Sequence, residues 1–343
     1  MALSLAMAMV VAEVSLRAAG VPDSFNRPSR SHLLSAGIIA TANIGRRVGI
    51  APPTPFTITG HPFAGYALNP DHPDHDGIYR RTGAVAGPSK TRIVCMGGSS
   101  TYGTRVGWQD AYPAALQREL GDGYEVRNAG AIAYTTSHIA GLLANEIVHD
   151  GADMVLLYVG FNDVAMRAGY DGYRDDYSHA LRVYDDRGPL NLYRTRKPQG
   201  ATTTANIGSS TSDAFARNMQ SIVAICRAHD IEPILIYQAT AFKAKPDDVD
   251  DPSTWASLHA EQMGVVQRIA ENVGVRTIDV REMDDNPEYF TDCLHMTAAG
   301  NARRAALISD ALQHMEPQNG KWGHSTNMGT NGSASACEWW RGH

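Results

Sequence analysis

Between Thr91 and Met315, short apolar, often β-branched runs alternate with longer segments of helical spacing, and this alternation restricts the fold more than any other feature of the chain. Thr91 to Met96 (TRIVCM) reads as a buried strand stopped by Gly97-Gly98. Asp153 to Val159 (DMVLLYV) is the clearest buried strand, and Tyr124 to Asn128, Glu232 to Tyr237 and Val275 to Val280 complete a set of five. Helical spacing runs through Tyr112 to Leu120, Ser137 to His149, a segment N-capped by Asp213 and ending at His229, Thr254 to Val273, and Thr297 to Met315. Strands that are apolar on both faces and separated by helices predict an α/β fold with a mostly parallel sheet covered on both sides. In such sheets ligands sit beyond the carboxyl ends of the strands. Chemistry is therefore expected in the residues that immediately follow each apolar run.

The remainder of the 343 residues divides into three parts. Residues 1–90 read as an N-terminal extension preceding a domain at 91–315, and residues 316–343, which almost lack aliphatics, as a disordered tail. Ala2 to Ala12 is apolar apart from Ser4, but eleven residues fall short of the roughly 20 that span a bilayer. No basic stretch precedes the run. It reads either as a short packed helix or as the end of an anchor. Membrane association through the N-terminus and an extracytoplasmic location therefore stand beside a cytoplasmic one. Residues 164–212 break the alternation with Tyr, Arg, Asp and Thr and read as an insertion, a lid near the site. A net charge of −6 argues against a nucleic-acid partner, which needs clustered cations. Cys95, Cys226, Cys293 and Cys337 are widely spaced and form no C-x-x-C pair, so no disulfide framework is expected.

Four segments lie where chemistry is expected: Gly97-Gly98-Ser99-Ser100-Thr101-Tyr102-Gly103, then Asn128 to Ala133, then Gly160-Phe161-Asn162-Asp163, then Asp292-Cys293-Leu294-His295. Together they supply the parts of acyl transfer. A serine needs a base to take its proton, and histidine is the usual base near neutral pH. An aspartate three residues before that histidine can fix its tautomer and orientation. A tetrahedral intermediate needs donors for its oxyanion, and the N–H of Ser99, a backbone N–H near Ala133 and the amide of Asn162 are the candidates. Look-alike patterns fail the same test of position. Asp176-x-x-His179 and Gly208-Ser209-Ser210 follow no strand, and Gly87 to Thr91 precedes its strand and lacks the adjacent Gly-Lys of a phosphate loop. Asp71-His72-Pro73-Asp74-His75-Asp76 reads as a solvated loop rather than a metal site.

Over roughly residues 90–315 the chain resembles the SGNH hydrolases, the GDSL lipase/esterase superfamily. Gly97 to Gly103 matches the block G-D-S-x-T-x-G, with Thr101 and Gly103 selecting Ser99 over Ser100 as the nucleophile; Gly160 to Asp163 matches G-x-N-D; Asp292 and His295 match D-x-x-H. The resemblance implies a three-layer α/β/α fold around a five-stranded, flavodoxin-like sheet, and a metal-free, cofactor-free mechanism. It gives catalytic roles to Ser99, Asp292 and His295 and an oxyanion hole to the N–H of Ser99, Ala133 and Asn162. Two departures stand out. Gly98 replaces the aspartate of the first block, as in a G-G-S branch. Ala133 occupies the position where the family usually offers a glycine, with Gly130 as a second candidate for that donor. A positive φ at Ala133 would cost roughly 1 kcal/mol.

The implied activity is ester hydrolysis through an acyl-enzyme. The polar insertion, with Tyr170, Tyr173, Arg174, Tyr177 and Arg182, suits a hydroxyl-rich alcohol such as a glycan, which makes a carbohydrate O-acetyl or short-chain esterase the expected activity. Two alternatives remain open on sequence: an O-acyltransferase that uses a glycan hydroxyl in place of water, and a non-catalytic binding module of the same fold.

Overall fold

The computed structural model describes residues 57–88, 90–169, 210–249 and 251–315. The segment before residue 91 supplies two hairpin-like pairs. Strands β1 (Ile58–His61) and β2 (Gly65–Leu68) form an antiparallel sheet of their own. The two-residue strands β3 (His75–Asp76) and β4 (Tyr79–Arg80) pair antiparallel at one edge of the main sheet. Five parallel strands make up the rest of that sheet: β5 (Thr91–Gly97), β6 (Tyr124–Asn128), β7 (Met154–Tyr158), β8 (Glu232–Tyr237) and β9 (Arg276–Asp279). The order is β3-β4-β6-β5-β7-β8-β9, so the parallel strands follow the expected flavodoxin-like pattern and two short strands extend it. Two residues per strand leave no periodicity for a sequence to display.

The connecting helices are the turn α1 (Ser99–Tyr102), α2 (Tyr112–Leu120), α3 (Thr136–Asn145), α4 (Phe161–Gly169), α5 (Ser210–Ala228), α6 (Pro252–Val273) and α7 (Ala298–His314). The period-two alternation of side chains along each strand sorts the core into two layers. Val94 and Met96 of β5, Val155 and Leu157 of β7 and Leu235 of β8 point to the side covered by α3, α5 and α6. Ile93 and Cys95, Met154, Leu156 and Tyr158, and Ile234 and Ile236 point to the side covered by α2 and α7. The result is a three-layer α/β/α sandwich.

Several boundaries differ from expectation. Helix α5 begins at Ser210, so Asp213 lies in its first turn rather than capping it. Helix α3 ends at Asn145 and a separate 3-10 turn covers Ile147–His149. Helix α6 starts at Pro252 because Asp251 caps it, its side chain accepting from the Thr254 N–H at 3.1 Å. Helix α4 continues through Gly169 into the stretch read as an insertion. Residues 170–209, with the tyrosines and arginines of the expected lid and the Asp176/His179 pair, lie outside the described residues, as do the N-terminal apolar run and the 316–343 tail. Among the described residues no helix is long and apolar enough to cross a membrane. Cys95 and Cys226 are buried free thiols, and Cys293 is buried as well.

Candidate active site

Every candidate residue sits at the carboxyl end of the sheet, because each follows a parallel strand. Ser99 opens α1 directly after β5, and His295 is carried back toward it by the loop after β9. Ser99 Oγ lies 2.7 Å from His295 Nε2, across 196 positions of sequence. On the other side of the ring, His295 Nδ1 lies 2.7 Å from Asp292 Oδ2. Asp292 Oδ1 also accepts the backbone N–H groups of Leu294 at 3.0 Å and His295 at 2.6 Å, so one carboxylate shapes the loop and orients the ring. Burial opposes its ionisation, but the His295 ring and those two N–H groups prevail and hold the carboxyl below its ordinary value. The half-exposed Arg105 guanidinium stands 3.6 Å from Asp292 Oδ2.

Ser100, the neighbouring serine, is turned away: its hydroxyl donates to the carbonyl of Leu294 at 3.2 Å. It ties the turn that carries Ser99 to the loop that carries His295. Beneath the turn, Arg304 of α7 is fully buried. Its Nη2 donates to the Ser100 carbonyl at 2.9 Å and to Asn301 Oδ1 at 2.6 Å. Its guanidinium lies 4.1 Å from the centre of the Tyr112 ring and 4.5 Å from that of Tyr158.

Asn162 sits in the first turn of α4. Its Nδ2 donates to the Tyr134 carbonyl at 2.8 Å, which leaves the second amide hydrogen free for a ligand. The amide lies so close to Gly98 that a Cβ there would come within 2.3 Å of Nδ2. Asp163, next along, accepts from the Thr136 hydroxyl at 2.6 Å and so fastens α4 to the start of α3. Gly160 turns the chain from β7 into α4 at φ 137°, a conformation that favours glycine. Ala133 adopts φ 60°, so the positive φ is present and carries its strain of about 1 kcal/mol. The N–H of Gly130 is already engaged by Asn128 Oδ1 at 3.0 Å. No described residue accepts the N–H of Ala133.

Gly98, Ser99, Asn162 and Leu294 line an open pocket together with Tyr134, Tyr158, Phe161 and Gln238. The sequence reading missed the last four. Gln238 follows β8 directly and so satisfies the position rule that selected Ser99 and Asn162. Tyr134 and Tyr158 lie in no motif, and Phe161 fills the unspecified position of G-x-N-D. Among the described residues no group of three or more His, Cys, Asp or Glu is arranged to hold a metal ion, the Asp71 to Asp76 loop included. In that loop His75 is buried, with Nδ1 2.7 Å from the Asn69 carbonyl and Nε2 3.3 Å from the Tyr102 hydroxyl.

Similar solved structures include a carbohydrate acetylesterase from Sinorhizobium meliloti, 16% identical, covering 65% of this chain and 99% of that one at a TM-score of 0.46. A GDSL-like lipase from Bacteroides thetaiotaomicron is 21% identical, covering 67% and 92% at 0.43. A catalytic mutant of an acetylxylan esterase from Geobacillus stearothermophilus is 16% identical, covering 71% and 99% at 0.45. No curated protein matches the chain. Residues 95–303 match the model of the GDSL-like lipase/acylhydrolase family; the chain belongs to that family and is a carboxylic ester hydrolase.

Proposed function

We propose that Ser99 is the nucleophile, His295 the general base and Asp292 its orienting partner, and that the substrate is a short-chain ester of a hydroxyl-rich alcohol. The observation that carries the reading is the unbroken relay from Ser99 Oγ to His295 Nε2 and from His295 Nδ1 to Asp292 Oδ2, each 2.7 Å long. Oγ attacks the ester carbonyl carbon while its proton passes to Nε2. That proton then moves to the departing alcohol. Water, deprotonated by His295, attacks the acyl-enzyme and releases the acid. The oxyanion formed at each attack is met by the N–H groups of Ser99 and Ala133 and by Asn162 Nδ2. The engaged N–H of Gly130 favours Ala133 as the backbone donor of its segment.

The pocket beside Ser99 is small, which suits a small acyl group better than a fatty one. The intact relay disfavours a non-catalytic module, which has no need of an aligned serine and histidine. The test is labelling by a fluorophosphonate probe together with turnover of a nitrophenyl acetate. Ser99→Ala is expected to abolish both and Ser100→Ala to spare labelling. The reverse pattern would overturn the assignment. Product analysis with a sugar alcohol present tests the second step, with free acid expected as the main product and sugar ester as the result that would favour an acyltransferase.

A further inference from the structure

We infer that Gln238 recognises the substrate: its side-chain NH2 is a fixed hydrogen-bond donor to an oxygen of the alcohol part of the ester, outside the reacting carboxyl group. The inference deepens the function proposed above and rests on it.

Gln238 stands one residue beyond β8 and lines the pocket with Ser99 and Asn162. An amide side chain has two chemically different ends, and here its neighbours decide which end faces where. The backbone N–H of Phe161 meets the Gln238 amide at 2.8 Å, and a backbone N–H can only donate, so the atom it meets is the carbonyl oxygen Oε1. His259 Nε2 approaches the same oxygen at 3.3 Å. Burial pushes His259 down to about 4, so the ring stays neutral near pH 7 and donates through Nε2–H. Flipping the amide would set its NH2 against the Phe161 N–H, so the backbone donor fixes Oε1 in place.

The other end, Nε2, has no acceptor among the described residues. Yet it is absent from the buried polar atoms that lack a partner, unlike Thr101 Oγ1 or Tyr112 OH. A residue only 5% exposed therefore spends part of that exposure on Nε2, where the side chain meets the pocket. The oxyanion already has three candidate donors, and Gln238 lies one strand farther along the sheet than Asn162. A rigid donor there fits a second acceptor oxygen, and an alcohol rich in hydroxyls carries several. Sites built to hydrogen-bond a substrate oxygen discriminate strongly against analogues that lack it.

The experiment uses the full chain and three substrates. Phenyl acetate has only the ester oxygens, phenyl methoxyacetate adds one on the acyl side, and an acetylated methyl glucoside adds several on the alcohol side. Gln238→Glu keeps an acceptor for Phe161 and His259 but removes the donor. It is expected to lower kcat/KM for the glucoside ester by roughly tenfold more than for phenyl acetate, mainly through KM. Gln238→Met is neutral and loses both ends. It should depress all three substrates while showing the same tenfold shift in the ratio, so the ratio remains readable if the charged variant folds poorly. An equal loss on all three substrates would overturn the inference and leave Gln238 a brace for Phe161. A loss concentrated on the methoxyacetate would overturn the alcohol-side assignment. Failure of the underlying reading shows separately, as a wild-type enzyme that the fluorophosphonate probe does not label at Ser99.

Discussion

The contact between Gly98 and Asn162 gives a perturbation whose size follows from the structure. Gly98 has φ −86° and ψ −152°, ordinary extended backbone, so Gly98→Ala meets no conformational barrier of its own. The added methyl would instead lie 2.3 Å from Asn162 Nδ2, whereas ordinary van der Waals contact begins near 3.4 Å. The amide must retreat by about 1 Å, giving up its 2.8 Å bond to the Tyr134 carbonyl and its aim at the oxyanion. Misplacing a reacting or stabilising group by about 1 Å costs on the order of 10²-fold, and losing an oxyanion donor outright costs about 10²–10³ in kcat. We expect Gly98→Ala to lower kcat on nitrophenyl acetate about 10²-fold with little change in KM. Steady-state kinetics in a double-mutant cycle with Asn162→Ala locates the cause. If the methyl acts through Asn162, it should cost almost nothing once that amide is gone. An undiminished loss in the Asn162→Ala background, or a single mutant at wild-type kcat, would refute the reasoning.

Asn162→Ala alone is expected to lower kcat by about 10²–10³ with a nearly unchanged KM, and Asn162→Asp to be worse because it sets a like charge beside the oxyanion; kinetics with circular dichroism checks both. His295→Ala should lose nearly as much rate as Ser99→Ala, and the double variant scarcely more, since members of such a unit fail together. Acid should weaken the fold through two histidines. Burial lowers His75 and His259 from 6.5 to about 4, so below pH 6.5 the unfolded chain binds protons that the folded chain refuses. Stability is therefore lost as pH falls from 6.5 toward 4, by up to ~3 kcal/mol per histidine. Asp284, raised to about 6 chiefly by burial, works in the opposite direction over part of that range. Denaturant melts should show a flatter pH dependence for His259→Gln than for wild type; an unchanged slope would count against the burial argument.

The five parallel strands and the polar residues at their ends were legible because both follow from local pattern: an apolar run too short for a helix, then a glycine, serine, asparagine or aspartate where the chain leaves the sheet. Ser99, Asn162, Asp292 and His295 were visible in that way; Ser99 and Asn162 line one pocket, and His295 and Asp292 are joined to Ser99 by hydrogen bonds. Gln238 met the same criterion and was passed over because no motif surrounds it. Arg304 was not legible at all. An arginine next to another in an amphipathic helix reads as solvated, and it is Tyr112, Tyr158 and the Ser100 carbonyl, arriving from three other elements, that meet its buried guanidinium. Strands β3 and β4 escaped notice because two residues each leave no periodicity, and only the pairing of Arg80 with Asn128 joins them to the main sheet. Ala133 was identified by spacing alone, and its positive φ is set by tertiary context.

The family likeness begins at residue 95, inside β5, yet much of what steadies the catalytic loops lies before it. Arg80 Nη1 donates to the carbonyls of Tyr102 at 2.6 Å and Gly103 at 2.9 Å, gripping the turn that carries the proposed nucleophile. Tyr66 gives its hydroxyl to the Ile132 carbonyl at 2.7 Å and takes that of Tyr134 at 2.6 Å, fixing both neighbours of Ala133. The part of the chain that carries the chemistry and the part that must fold as one piece therefore have different borders. A chain trimmed to the recognisable module would keep every reactive group and lose the scaffolding that holds several of them still. What precedes that module belongs to the enzyme's working parts as much as the module itself.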